Sequence, residues 1–376
     1  MVRGYCPNSN NRLLDSVVDE RYIMDVESFE IPSTHLDKNT IYIIMWGLYI
    51  TNARYVNDII SKSYKIVLFS GMEGFRNIIE KTEEIGLDTY RHIIDYNVPI
   101  ICTGDLDDTI YHLNVESLFQ KTVECNTGII VSDIEHRKPR YKFLFLNGRR
   151  RHNRVYLFEY FRRNGLLDDA LWSFLDDSCG QIPGIKQQLI FGDDAVDRIP
   201  VPKKLLDASY EQCPSEITEY DGSPYEKTKR GIFGDVWGDG MIVPKQYEDT
   251  YFSVVVETEF GNPYSFRTEK IWKPILASHP WIAVSNYGYY RDIREIGFKT
   301  FDGIIDESFD LIKDNQKRIE YIARVITDLC NQNLDDFLVA CGDICAYNRK
   351  HALSLCKDIE QTRTHKIVDF LKNRFT

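Results

Sequence analysis

The chain has 376 residues, 43% hydrophobic, 27% charged and 13% aromatic, with a formal net charge of -11. That length exceeds one ordinary core and suits two α/β domains. The acidic balance argues against general nucleic-acid binding, and no run reaches the roughly 18 apolar residues of a membrane span.

Residues 1–38 are polar and mixed. Apolar, β-branched runs at 40–46, 65–69 and 98–102 read as strands. Helical patterns at 53–61, 75–85 and 115–125 alternate with them, with Gly86 as a C-cap, and residues 128–131 read as a further strand. The alternation implies a parallel sheet with helices on both faces. It restarts after 136–140 with a strand at 141–146, a helix at 155–163 stopped by Asn164-Gly165, and a strand at 170–174. Residues 176–250 are richer in Pro, Gly and Asp and read as a long excursion. The pattern returns with strand 252–256, a polar loop, a helix opened by Thr268 and shortened by Pro274, strand 281–284, a helix and a strand at 297–302. Residues 309–329 read as a helix, and 334–371 as two more, separated near Asn348.

The expected architecture is therefore α/β, with two Rossmann-like domains, a cleft between them and C-terminal helices. Residues 1–138 form the first domain, 139–345 the second, and 346–376 a helical tail. The nine cysteines are scattered without a disulfide pattern. Cys341, Cys345 and Cys356 share a helical region and read as packing thiols rather than metal ligands. With no apolar signal core at the N-terminus, a reducing, cytoplasmic setting is expected.

Two constellations could carry chemistry. Between Arg137 and Arg154 stand eight Lys or Arg and no Asp or Glu. Arg149, Arg150, Arg151 and Arg154, with Gly148, fall at a strand-to-helix turn. A helix N-terminus offers free N–H groups and a positive dipole end, and arginine adds a planar fork that fits phosphate. A solvated basic face is the competing reading. The second constellation is Glu257, Glu259, Arg267, Thr268, Glu269 and Lys270. A carboxylate at a sheet's ligand edge can accept from both ribose hydroxyls, and a lysine at a helix start can meet a phosphate; an N-cap with an ordinary amphipathic first turn explains the same residues. His152 could donate to phosphate, whereas His279 reads as a helix-end residue satisfied by backbone.

Residues 251–302 resemble the C-terminal half of GT-B glycosyltransferases of the fucosyltransferase-like and exostosin-like kind. The resemblance rests on Val256-Glu257, Thr268-Glu269-Lys270 and Pro280-Trp281-Ile282, together with the turn Leu146-Asn147-Gly148-Arg149-Arg150-Arg151. It covers about a hundred residues in two blocks and departs from the fucosyltransferase pattern at Thr258 and Glu259. It implies a nucleotide-sugar donor held by the second domain, with Glu269 at the ribose, Lys270 and the arginines at the diphosphate, and Glu257 near the donor. It also implies transfer to a glycan or other hydroxyl acceptor. The one close Asp-x-Asp, Asp105-Leu-Asp107, lies in the first domain and not where a metal-dependent transferase would need it, so neither cofactor nor metal is expected. Glu73 and Asp105, which follow strands of the first domain, are the candidate bases. A non-catalytic nucleotide or phospho-ligand binder and a DNA-base glycosylating transferase are the competing functions.

Overall fold

The computed structural model describes residues 2–4, 41–70, 86–103, 106, 109–126, 128–147, 151–174, 242–261 and 264–375. Every strand pairing among them is parallel. The chain divides into two compact units, residues 1–120 with 355–376, and residues 121–354.

The first unit carries β1 (Val2–Gly4), β2 (Ile41–Met45), β3 (Lys65–Ser70), β4 (Ile100–Cys102) and β5 (His112–Asn114), adjacent in sequence order. Helices α1 (Trp46–Ser61), α2 (Thr89–Asp95) and α3 (Ser117–Cys125) alternate with them. Side chains on a strand alternate between faces. Ile43, Val67, Phe69 and Ile101 therefore make one buried face, which packs with Val115 and with Ile367, Phe370 and Leu371 near the chain's end. Tyr111 stacks on Phe370 at 4.6 Å. Strands β1 and β5 escaped the sequence reading because Val-Arg-Gly and His-Leu-Asn each hold a single apolar residue, unlike the equally short Ile-Ile-Cys of β4. Residues 128–131 are not a strand: Ile129 N–H closes a turn onto Asn126 O at 3.1 Å, and Ile130 is 85% exposed. The expected helix at 75–85 lies outside the described residues; Gly86 has a left-handed φ of 77°.

The second unit holds β6 (Tyr141–Asn147), α4 (His152–Arg163), β7 (Ala170–Phe174), α5 (Pro244–Glu248), β8 (Thr250–Val256), α6 (Glu269–Leu276), β9 (Trp281–Val284) and α7 (Tyr289–Glu295). Helices α8 (Asn315–Cys330) and α9 (Leu334–Phe375) follow. The strand order is β7-β6-β8-β9. From β6 the chain steps to one side for β7 and to the other for β8 and β9, so the order reverses between β6 and β8. Phe143 and Phe145 of β6 each meet Phe161 of α4 at 5.2 Å, and Phe252 of β8 meets Phe337 of α9 at 6.0 Å on that face. On the opposite face, Ser253 Oγ lies 3.0 Å from Nδ1 of His279, just past α6. With helices on both faces, β8 buries nearly every side chain, which is why it reads as one continuous apolar run.

Three elements differ from expectation. Residues 297–302 form no strand beyond an isolated bridge between Asp302 and Ile305. Gly297 and Gly303 bend the backbone at φ 92° and 83°, and the Phe301 N–H donates to Glu307 Oε1 at 2.7 Å rather than to a ladder. The helix expected at 309–329 is a 3₁₀ turn (Ser308–Leu311) followed by α8, whose start is set by Asp314 Oδ1 accepting from Lys317 N at 2.8 Å. There is no break at Asn348, and α9 runs unbroken for 42 residues. Asn348 competes with no helix hydrogen bond, because its amide is spent elsewhere. Its Oδ1 accepts from Lys299 N and its Nδ2 donates to Lys299 O, both at 2.8 Å. Asn348→Leu keeps the volume but strands those two backbone groups. The unfolding free energy should fall by about 1–3 kcal/mol, and a urea titration with an unchanged midpoint would show that the contact contributes nothing.

Candidate functional site

In open parallel sheets, ligands bind beyond the carboxyl ends of the strands where strand order reverses. Among the described residues the first sheet has no reversal, and the second has one, between β6 and β8. Described residues of both sequence constellations meet there. Arg154, in the first turn of α4, donates from Nη2 to Val256 O at 3.3 Å, and Asn153 Nδ2 donates to Glu257 O at 3.2 Å. Residues about a hundred positions apart thus share one edge.

Glu257 organises the β8 side. It follows the last residue of β8 and is wholly buried. Its Oε1 accepts from Thr268 N at 3.1 Å and from the Tyr289 hydroxyl at 2.9 Å, and its Oε2 accepts from Thr268 Oγ1 at 2.5 Å. Burial pushes the Glu257 carboxyl upward, while Lys270 and the Thr268 donors pull the other way. Burial and the neighbouring Glu257 carboxyl drive the Tyr289 phenol well above its usual range, so Tyr289 is a donor throughout. Thr268 is also the N-cap of α6, its Oγ1 accepting from Lys270 N at 3.3 Å. One carboxyl therefore fixes the helix start through both the backbone and the side chain of its capping residue.

The next two residues face each other. Lys270 Nζ is paired with the Glu269 carboxylate and lies 3.4 Å from Thr268 Oγ1. Burial alone would raise Glu269, but Lys270 and Lys273 outweigh it and hold the carboxyl below its ordinary range. Lys270 keeps about a quarter of its side chain exposed, whereas Arg154 and Glu269 are largely buried. Arg151 is the N-cap of α4, half-buried, with extended backbone and no side-chain cap bond. Gly148, Arg149, Arg150, Glu73 and Asp105 lie outside the described residues.

The surrounding loops are clamped by Arg318. Arg318 is 1% exposed. It donates to Phe260 O at 2.7 Å after β8, to Ser285 O at 3.0 Å after β9, and to Ile312 O at 2.8 Å before α8. Burial lowers it to about 10, which still leaves it charged at neutral pH. Ser265 Oγ donates to Asp292 Oδ2 at 2.5 Å, tying the loop before α6 to α7. His279 stands at the opposite end of β8, where burial drives it down to about 3 and its Nε2 lies 2.8 Å from Thr250 O. It is a neutral packing group, as its place at a helix end suggested. His152 is buried in the first turn of α4.

No local pattern of residues singles out Asn153, Tyr289 or Arg318. Tyr289 sits in a Tyr-Gly-Tyr-Tyr run whose distance to Glu257 only the fold reveals. For Asn147 there was a signal: an amide closing an otherwise apolar strand.

A cavity of about 500 Å³ lies elsewhere in this unit, lined by Arg294, Asp302, Asp306, Glu307 and Asp310 among others. Four carboxylates against one guanidinium do not suit a diphosphate, and none of the sequence-selected residues lines it. Among the described residues no cluster of His, Cys, Asp or Glu could hold a metal ion, and no helix is long and apolar enough to cross a membrane. Cys341, Cys345 and Cys356 are buried in α9; burial pushes the Cys341 thiol up to about 12, far from a reactive thiolate. The chain matches no protein-family model and no curated protein.

Two measurements follow from these contacts. Glu257→Ala strands the Thr268 N–H, the Thr268 hydroxyl and the Tyr289 hydroxyl, and at about 1–3 kcal/mol for each stranded group should cost roughly 3 kcal/mol or more of unfolding free energy; a loss below about 1 kcal/mol would contradict this role. Glu307 gives a pH signature. Burial raises its carboxyl from 4.5 to about 7, against the pull of Thr300, Phe301 and Arg294. The folded chain then binds the proton more tightly than the unfolded one, so this group's contribution is full below pH about 4.5 and declines as pH rises through about 7. Urea titrations across that range should show parent stability falling relative to Glu307→Gln; parallel pH profiles would refute the shift.

Proposed function

We propose that the chain is a metal-independent glycosyltransferase that binds a nucleotide-sugar donor at the β6/β8 reversal and transfers the sugar to a glycan or other hydroxyl acceptor. Its second unit serves as the donor-binding half of a Rossmann-like, GT-B-type enzyme. The observation that carries this reading is the contact of Asn153 and Arg154 with the backbone of Val256 and Glu257. That contact brings a cationic helix start to the same edge as the Thr-Glu-Lys helix start.

The roles divide by chemistry. Arg151 and Arg154, with the free N–H groups of α4, serve the diphosphate. Lys270 adds a cation from the start of α6. Glu269 accepts from ribose hydroxyls. A nucleotide entering between Glu269 and Lys270 exchanges their mutual contact for charge-assisted bonds to a hydroxyl and a phosphate. Glu257 and Thr268 stay beneath, holding α6 in place. As the glycosidic bond breaks, negative charge grows on the leaving diphosphate, and fixed cations aimed there lower the barrier. The acceptor hydroxyl needs a base, for which Glu73 and Asp105 remain the candidates.

A thermal-shift screen of GDP, UDP, CMP and ADP with their sugars tests the donor site, since a ligand bound only by the folded chain raises its apparent stability. One nucleotide should stabilise the parent. Lys270→Ala and Arg151→Ala should each weaken its binding about 10- to 100-fold, the equivalent of losing one charged hydrogen bond. Slow hydrolysis of the matching nucleotide sugar would separate an enzyme from a binding protein. No shift with any nucleotide, or variants that bind like the parent, would refute the assignment.

A further inference from the structure

Asn147 is the last residue of β6, at the strand reversal. It is 2% exposed, and neither its Oδ1 nor its Nδ2 has a hydrogen-bond partner. Buried amides in folded chains are nearly always paired. The six residues before it in β6, Tyr141-Lys-Phe-Leu-Phe-Leu146, are mostly apolar, and an apolar side chain of the same size here would remove the cost of burying an unmatched amide. Asn147 therefore stands at this position at the expense of the fold.

Its direction follows from the strand's period of two. Phe143 and Phe145 face α4, where both rings meet Phe161 at 5.2 Å. Asn147 is next in that row, one step nearer the strand's carboxyl end. The chain enters α4 at this same edge, because Arg154 in its first turn reaches Val256 O at the end of β8. The unpaired amide thus lies on the α4 face beside that first turn. Glu257 lies on the other face of the sheet, in the row of Ser253 and Val255, with Thr268 bonded to it. The two faces of the reversal therefore differ: a satisfied carboxyl beneath α6 and an unsatisfied carboxamide beneath α4.

The amide's chemistry narrows what it can take. A carboxamide offers N–H donors and a carbonyl acceptor. A phosphate oxygen would take a donor and leave the carbonyl unmatched. A hydroxyl both donates and accepts, and a vicinal diol satisfies both ends of the amide at once. Arg151 and Arg154 already supply the cations for the charged part of a ligand. We infer that the Asn147 carboxamide binds a sugar hydroxyl of the donor, on the ribose or on the transferred sugar. This inference rests on the donor-site reading above.

Calorimetric titration of the full chain with UDP, GDP, CDP and ADP, their 2′-deoxy counterparts and the matching nucleotide sugars tests it, in the parent, Asn147→Leu and Asn147→Ala. Asn147→Leu should melt at or above the parent's temperature without nucleotide, yet bind at least 10-fold more weakly. Asn147→Ala, which adds no bulk, carries the same comparison if the leucine variant does not fold. A loss already seen with the nucleoside diphosphate, and reproduced in the parent by the 2′-deoxy compound, places the amide at the ribose. A loss confined to the nucleotide sugar places it at the transferred sugar. If the parent binds nucleotide and both variants bind equally well, the inference is overturned and the donor site stands. A lowered melting temperature with unchanged affinity overturns it too, by giving Asn147 a purely structural role. A parent that binds no nucleotide overturns the donor site and this inference together.

Discussion

The second unit depends on one buried carboxyl. Glu257 follows the end of β8, and its two oxygens take three donors, two from Thr268 and one from Tyr289. A carboxyl this deep is tolerated only when its hydrogen-bonding capacity is met. Meeting it fixes the start of α6 against β8 and ties both to α7. The helix N-terminus then has one position, and Glu269 and Lys270 are carried to the sheet edge with it. Arg318 adds a second restraint of the same kind, joining the loops after β8 and β9 to the approach to α8. These polar anchors determine which groups reach the edge; the apolar packing of Phe143, Phe145, Phe161 and Phe252 determines that the sheet and its helices exist.

The two sheets are both parallel but offer different opportunities. The first has its described strands in sequence order and so has no reversal among them. The second reverses between β6 and β8, and in open parallel sheets a reversal of this kind is where ligands bind beyond the carboxyl ends of the strands. The first turn of α4 and the Thr-Glu-Lys start of α6 both lie at that edge. Their convergence follows from strand order, which no local pattern of residues encodes.

What the sequence disclosed, and what it concealed, follows the range of the interactions involved. β6, β7, β8 and β9 were legible because their apolar runs are bounded by turn residues, and Thr268 was legible as a cap because capping is local. The C-terminal stop of α4 at Asn164-Gly165 was legible for the same reason. The supposed break at Asn348 was misread because the amide's partners, the backbone groups of Lys299, lie 49 residues away. Residues 297–302 looked like a strand because their apolar content is real, but Glu307 takes the Phe301 N–H and two glycines turn the chain. Glu257 was selected as a ligand group from its position after β8, whereas its burial and its bonds to Thr268 and Tyr289 make it a support for the neighbouring groups. Asn147 was read as one letter of a turn, although an amide closing an apolar strand was a signal; its burial without a partner is what the fold adds.

On the proposed reading, one edge, between β6 and β8, receives a nucleoside diphosphate. A crystal structure of the full chain with the nucleotide that most stabilises it tests this most directly. The phosphates should lie against the first turn of α4 within hydrogen-bond reach of Arg151, Arg154 or Lys270, with the ribose toward Glu269. A nucleotide seated instead in the acidic cavity around Glu307, or anywhere away from the β6/β8 edge, would contradict the account.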